Sequence, residues 1–126
     1  MKYTIKEVSQ KLGMQTDTIR YYDKAGLLPN IERDNNGYRI FNGTDIYNLQ
    51  MIQCFRSIGM SIEEMKKIMI MPLDDTRFSI EHREEIVKKQ RDKLMQQKEQ
   101  IDQALLLVEF KLSRYAEIKQ SQANQT

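Results

Sequence analysis

The side chains of this sequence that could do chemistry fall into two groups. The first is reactive or metal-binding: one thiol (Cys54), one imidazole (His82), scattered carboxylates and a methionine cluster (Met60, Met65, Met69, Met71). No nucleophile stands beside a base in a recognised motif, no glycine-rich loop could cradle a phosphate, and no carboxylate pair has a hydrolase context, so an enzyme is not expected. A single cysteine and a single histidine have no ligand spacing for zinc or a softer metal, so no metal site and no other cofactor are expected. The methionines could offer thioethers to copper(I), but their spacing suits a buried helix face, which methionine commonly fills.

The second group suits nucleic acid. In Thr18-Ile19-Arg20-Tyr21-Tyr22-Asp23-Lys24, helical geometry puts Arg20, Tyr21 and Lys24 on or near one exposed side. An arginine can read guanine bidentately or hold a phosphate, and a tyrosine can bond a phosphate or pack on sugar and thymine methyl. The pair Tyr38-Arg39 follows a turn, where an arginine can lie along the backbone or enter a narrow groove. A single exposed arginine means little; the combination is the signal.

These side chains need elements to hold them. Thr4-Ile5-Lys6-Glu7 is a capping box, and Ile5, Val8 and Leu12 follow at helical spacing, which predicts a helix over 5–12. Gly13 offers a left-handed turn, and a second helix starts at Thr16 and Asp17, turns Ile19, Tyr22 and Ala25 inward, and stops at Gly26. Two short helices around a tight glycine turn make a helix-turn-helix. Asn36-Gly37, at the centre of Ile31 to Phe41, predicts a hairpin, a wing beside the second helix. A third helix is expected from Thr44 to Ile58, and a fourth from the capping box Ser61-Ile62-Glu63-Glu64 to about Met71.

All five glycines and Pro29 precede residue 60, and Pro72 is the last breaker. Beyond about Ser79 runs a stretch without Gly or Pro in which Ile80, Val87, Leu94, Ile101, Val108 and Tyr115 recur every seven residues. Their companions are polar at first (Arg83, Gln90, Gln97) and apolar later (Ala104, Leu105, Leu112, Ile118). Such a helix cannot bury its seam on itself, so it calls for a partner chain. The division is therefore a winged helix-turn-helix domain over 1–72, a linker over 73–79, a coiled-coil helix over 80–118 and a flexible tail over 119–126. The fold class is all-α dominated.

Bulk composition is compatible with this. Hydrophobic residues at 40% and charged ones at 30% suit a soluble helical protein. No apolar run approaches the roughly 20 residues that span a bilayer, and the start has no secretory signal, so a cytoplasmic protein without a membrane partner is expected. The net charge of +2 is small, but residues 1–72 carry 10 Lys+Arg against 8 Asp+Glu while residues 73–126 carry 10 against 10. All of the basic excess lies in the first part.

Tyr3-Thr4-Ile5-Lys6-Glu7-Val8, the run Thr18 to Pro29, Gly37-Tyr38-Arg39-Ile40-Phe41 and Gly59-Met60-Ser61-Ile62-Glu63-Glu64-Met65 together resemble the MerR family of bacterial regulators over essentially the whole chain. The resemblance implies a homodimer joined by an antiparallel coiled coil of residues 80–118, each head on one half of an inverted repeat in double-stranded promoter DNA. It also implies distortion of an overlong promoter spacer so that RNA polymerase can use it. Carried over residue by residue, it gives Thr18, Arg20, Tyr21, Tyr22, Lys24, Tyr38 and Arg39 as DNA-binding positions, with Arg56 and Lys66 on the second helix pair. For Tyr22 the spacing also suits the core.

Cys54 lies in the stripe Tyr47, Met51, Cys54, Ile58, which could be a buried face carrying an inert thiol. Cys54 to Ile62 also resembles the aldehyde- and electrophile-responsive branch of the family, which implies a reactive sensor thiol. Phe55 and Ile58 depart from that branch's usual Leu and Thr. The family's large drug-binding domains need more residues after the long helix than the ten or so that follow it here, so no large ligand pocket is expected. An adaptor that binds protein through the same head is the competing class, and it differs in having no salt-dependent DNA affinity.

Overall fold

The computed structural model describes residues 1–70 and 80–125. In order these form α1 (Ile5–Leu12), α2 (Thr16–Lys24), β1 (Glu32–Arg33), β2 (Arg39–Ile40), α3 (Gly43–Ser57), α4 (Ile62–Met69) and α5 (Ile80–Ala123). The chain divides into two compact units, Met1–Val87 and Lys88–Thr126. The expected linker, Met71 and the start of the long helix at Ser79 lie outside the described residues.

In the first unit, three helix starts are closed by reciprocal capping boxes. Thr4 with Glu7 opens α1, Asn42 with Asp45 opens α3, and Ser61 with Glu64 opens α4. Each satisfies two backbone N–H groups that the helix leaves without partners. The expected boundaries of α1 match those observed, and α4 ends two residues early at Met69. The third helix begins at Gly43 rather than Thr44 because Asn42 takes the capping position. Helix α2 follows Gln15, whose side chain makes no capping bond.

The hairpin is antiparallel, with Glu32 opposite Ile40 and Arg33 opposite Arg39. Its turn differs from a two-residue Asn-Gly turn, which needs positive φ at both central residues. Only Gly37 is left-handed (φ 83°), and no residue other than glycine has positive φ among the described residues. The Asp34 carboxylate accepts from the Asn36 and Tyr38 amides, both at 2.9 Å, and Asp34 N donates to Tyr38 O at 2.9 Å. The result is a three-residue loop with glycine at its left-handed corner. Tyr3 adds a bridge to Phe41, with both backbone bonds at 2.8 Å, so the N-terminus is tied to the base of the wing.

The core gathers Val8 of α1, Ile19 and Tyr22 of α2, Leu27, Leu28, Phe41, then Ile46, Leu49 and Ile52 of α3, and Met60 and Met65 at the next corner and on α4. Each large apolar side chain so buried contributes roughly 1.5–3 kcal/mol. Gln53 of α3 donates to Leu12 O at 2.9 Å and satisfies a carbonyl that the end of α1 leaves open. Arg83, from the polar side of the long-helix repeat, is buried within this unit.

In the second unit, α5 continues to Ala123, so the expected tail from 119 is helical for five more residues. Lys119 to Ala123 contains good helix formers and no breaker to end the ladder. At 1.5 Å per residue the whole helix is about 66 Å long. Its apolar side chains face outward: Ile101, Leu105, Val108, Leu112, Tyr115 and Ile118 are all exposed.

Candidate nucleic-acid interface

A groove of about 490 Å³ runs between the start of α1, the second helix and the wing. Thr4 lines it from the cap of α1, Lys6 from its first turn, Arg20 from α2, and Arg33, Tyr38 and Arg39 from the hairpin. Of the ten lining residues four are cationic and one, Asp34, is acidic, and the Tyr38 ring stands at the rim, 71% exposed. An anionic strand whose phosphate oxygens accept hydrogen bonds suits such a groove.

Helix α2 carries its expected residues on two faces. Tyr21 is exposed, as is Lys24, and Thr18 is half-buried. Arg20 Nη1 donates to Asp17 at 2.8 Å and lies 3.4 Å from Thr16 Oγ1, still 42% exposed. Tyr22 is a correction: it is 6% exposed and packs in the core, its ring 5.6 Å from that of Tyr21, so its inward helical position decided its role.

Arg39 also lines the groove, but most of its side chain is enclosed. Its Nε donates to the Asp23 carboxylate at 2.6 Å, and the two side chains are only 12% and 18% exposed. The side chain therefore turns from the wing toward α2 instead of standing open to solvent. Opposite it in the hairpin, Arg33 donates to Gly37 O at 2.7 Å and is exposed. Two arginines directly across a strand pair repel unless an anion compensates one of them. Asp23 does so for Arg39.

Arg56 lies exposed in the last turn of α3. Lys66, on α4, stands over Gly26, its Cε 3.7 Å from where a Cβ on that glycine would sit, and its Nζ is 3.7 Å from Glu63. Its ammonium thus sits beside the turn that ends α2, where a positive charge is favourable. Thr18, Tyr21, Lys24, Arg56 and Lys66 do not line the groove. Lys6 and Arg33 do, and sequence reasoning missed both. Lys6 reads as an ordinary first-turn residue, whereas the register opposite Arg39 could have drawn attention to Arg33.

Beneath the wing, Asp45 is buried. Burial pushes its carboxyl above the usual range; the bond with the Asn42 backbone opposes that shift, and the nearby charges of Glu32 and Asp23 add to it. Glu32 is itself paired with Lys2 at 2.9 Å.

Cys54 is exposed, which corrects the buried-thiol reading. The stripe exists but lies outside the core: Tyr47 is 60% and Ile58 52% exposed, with Met51 half-buried. The inward stripe of α3 is instead Ile46, Leu49 and Ile52, about 170° away on nearly the opposite side of the helix. Among the described residues no three His, Cys, Asp or Glu side chains gather to hold a metal ion, and no helix is long and apolar enough to cross a membrane.

Residues 3–71 match the family model of MerR HTH regulatory proteins, and residues 46–106 match that of the MerR DNA-binding region. An uncharacterized HTH-type transcriptional regulator of Haemophilus influenzae is 36% identical over 121 residues, covering 94% of this chain and 87% of that protein. The transcriptional activator mta of Bacillus subtilis is 30% identical, and the chain spans 42% of its length. Among solved structures, HiNmlR, a MerR family regulator lacking the sensor domain and bound to promoter DNA, superposes with a TM-score of 0.77 at 36% identity, covering 94% of each chain. A MerR family regulator of Bacillus thuringiensis gives 0.72 at 32% identity, over 90% of this chain and 99% of that one.

Proposed function

The chain belongs to the MerR family of HTH regulatory proteins, and on that premise we propose that it acts as a homodimer on an inverted-repeat promoter site in the cytoplasm. The cationic groove carries this reading: it brings Lys6, Arg20 and Arg33 to one surface with Tyr38 at its rim. Arg20 and Tyr21 of α2 read the major groove, with Thr18 and Lys24 alongside, while Lys6, Arg33 and Tyr38 hold the adjacent phosphates. Arg56 and Lys66 add outer backbone contacts. The exposed seam of α5 pairs antiparallel with a second copy, and the two heads together distort the promoter spacer for RNA polymerase. The likeness to a regulator solved on promoter DNA supports this reading.

Cys54 is the proposed point of response to a small reactive electrophile. The support is its exposure on α3 together with its neighbouring sequence, and the chemistry requires the thiolate.

Binding of the full chain to the DNA upstream of its own gene, followed by fluorescence anisotropy across a salt series, tests the first reading. Affinity should fall linearly with salt on logarithmic axes, by about 0.9 per phosphate contact. Binding with no salt dependence would favour a protein-binding adaptor. Mass spectrometry after aldehyde treatment, paired with promoter output of Cys54→Ala, tests the second, and an alanine variant that responds fully removes Cys54 from the mechanism.

A further inference from the structure

The Asp23–Arg39 ion pair joins two elements that approach the groove from different sides. Asp23 lies on α2, three residues after Arg20, and Arg39 opens β2 immediately after Tyr38. The strands they brace are two residues long, so the hairpin ladder alone is a weak guide for the wing's direction. The contact is short, at 2.6 Å, and little of either side chain reaches water. A charge-assisted bond in such a place is directional and resists replacement by a neutral partner.

We infer that Asp23 and Arg39 set the angle between the wing and the second helix, so that Arg39 serves DNA binding as a positioning residue acting through Tyr38 and Arg20. The inference rests on the DNA-binding reading of the groove. Asp23 is acidic and lies beside the exposed Lys24 on a face that must approach phosphates. A carboxylate there is unfavourable for DNA unless it does something else, and neutralising and holding Arg39 is what it does. Arg33, across the strand, keeps its charge for the groove.

The test measures operator affinity at several salt concentrations for the full chain and for Asp23→Asn, Arg39→Gln and the double variant. Each single variant should lose affinity about tenfold, and the double variant should lose little more, because both changes break one contact. The slope of affinity against salt should stay that of the wild type. Exchanging the charges, with Asp23→Arg and Arg39→Asp together, should recover most of the loss, and this holds as a test even where a single variant folds poorly. Arg39→Gln lowering the salt slope by about one, with Asp23→Asn binding normally, would make Arg39 a phosphate contact and overturn the inference. Failure of the exchanged pair to exceed the singles would also overturn it. A wild-type chain that binds no promoter DNA overturns the DNA-binding reading itself, and the inference with it.

Discussion

Arg20 and Asp45 show how differently two charged residues of one head behave. Arg20 is held by Asp17, a carboxylate that is 92% exposed, and an exposed pair of this kind contributes only about 0–1 kcal/mol, so the guanidinium is easily transferred to DNA. Arg20→Ala should therefore weaken operator binding by about 1–3 kcal/mol with little change in thermal stability, checked by anisotropy beside a melting curve. Asp45 is the reverse case. Its folded carboxyl has a raised pKa, so the ionised form is the one the fold disfavours. Above the folded pKa that cost is present in full, and stability gains as pH falls through the folded value toward the unfolded one. Asp45→Asn keeps an oxygen for the Asn42 amide and removes the charge. It should match or exceed the wild type in urea unfolding at pH 7, and the advantage should vanish below the unfolded carboxyl range. Exposure of Arg20 and Tyr38 was legible from position in a helix or beside a turn. Burial of Arg39 was not, because its partner is sixteen residues away and only tertiary packing brings them together.

Among elements, the helix starts show what short sequence motifs can encode. Thr4 with Glu7 and Ser61 with Glu64 follow the familiar spacing and were readable, whereas Asn42 with Asp45 closes its helix by the same geometry with less typical residues. That difference moved the start of α3 by one position. The wing was legible as a hairpin, but its turn was not, because Asn36-Gly37 fits two loop lengths and the Asp34 carboxylate selects the longer one. Gly37 has open space around the position of a Cβ, so only its left-handed backbone opposes substitution. Gly37→Ala should cost about 1–2 kcal/mol of stability and weaken operator binding further by loosening Tyr38. Gly37→Asn should cost less than alanine, since asparagine tolerates that conformation better; denaturant unfolding of both variants checks the order.

On the scale of the whole molecule, α5 dominates. The seven-residue repeat announced its seam, and the exposure of Ile101, Val108, Leu112 and Tyr115 in a single chain is what a seam awaiting a second copy would show. Sequence could not place its end, because the residues after 118 favour helix almost as well as those before it. Leu112→Asp should shift the protein from dimer to monomer in analytical ultracentrifugation and lower operator affinity at least a hundredfold, since one half-site contact replaces two. Retained dimer mass would remove this seam from the dimerisation reading. The unbroken ladder of α5 has a consequence for how its gene can change length. Loss or gain of one residue turns everything beyond it by about 100° and carries Val108 and Tyr115 off the seam, whereas seven residues turn it by only about 20° and shift it by about 10.5 Å. Surviving insertions and deletions in this helix should therefore be of seven or eleven residues, twenty-one or thirty-three nucleotides, rather than of one.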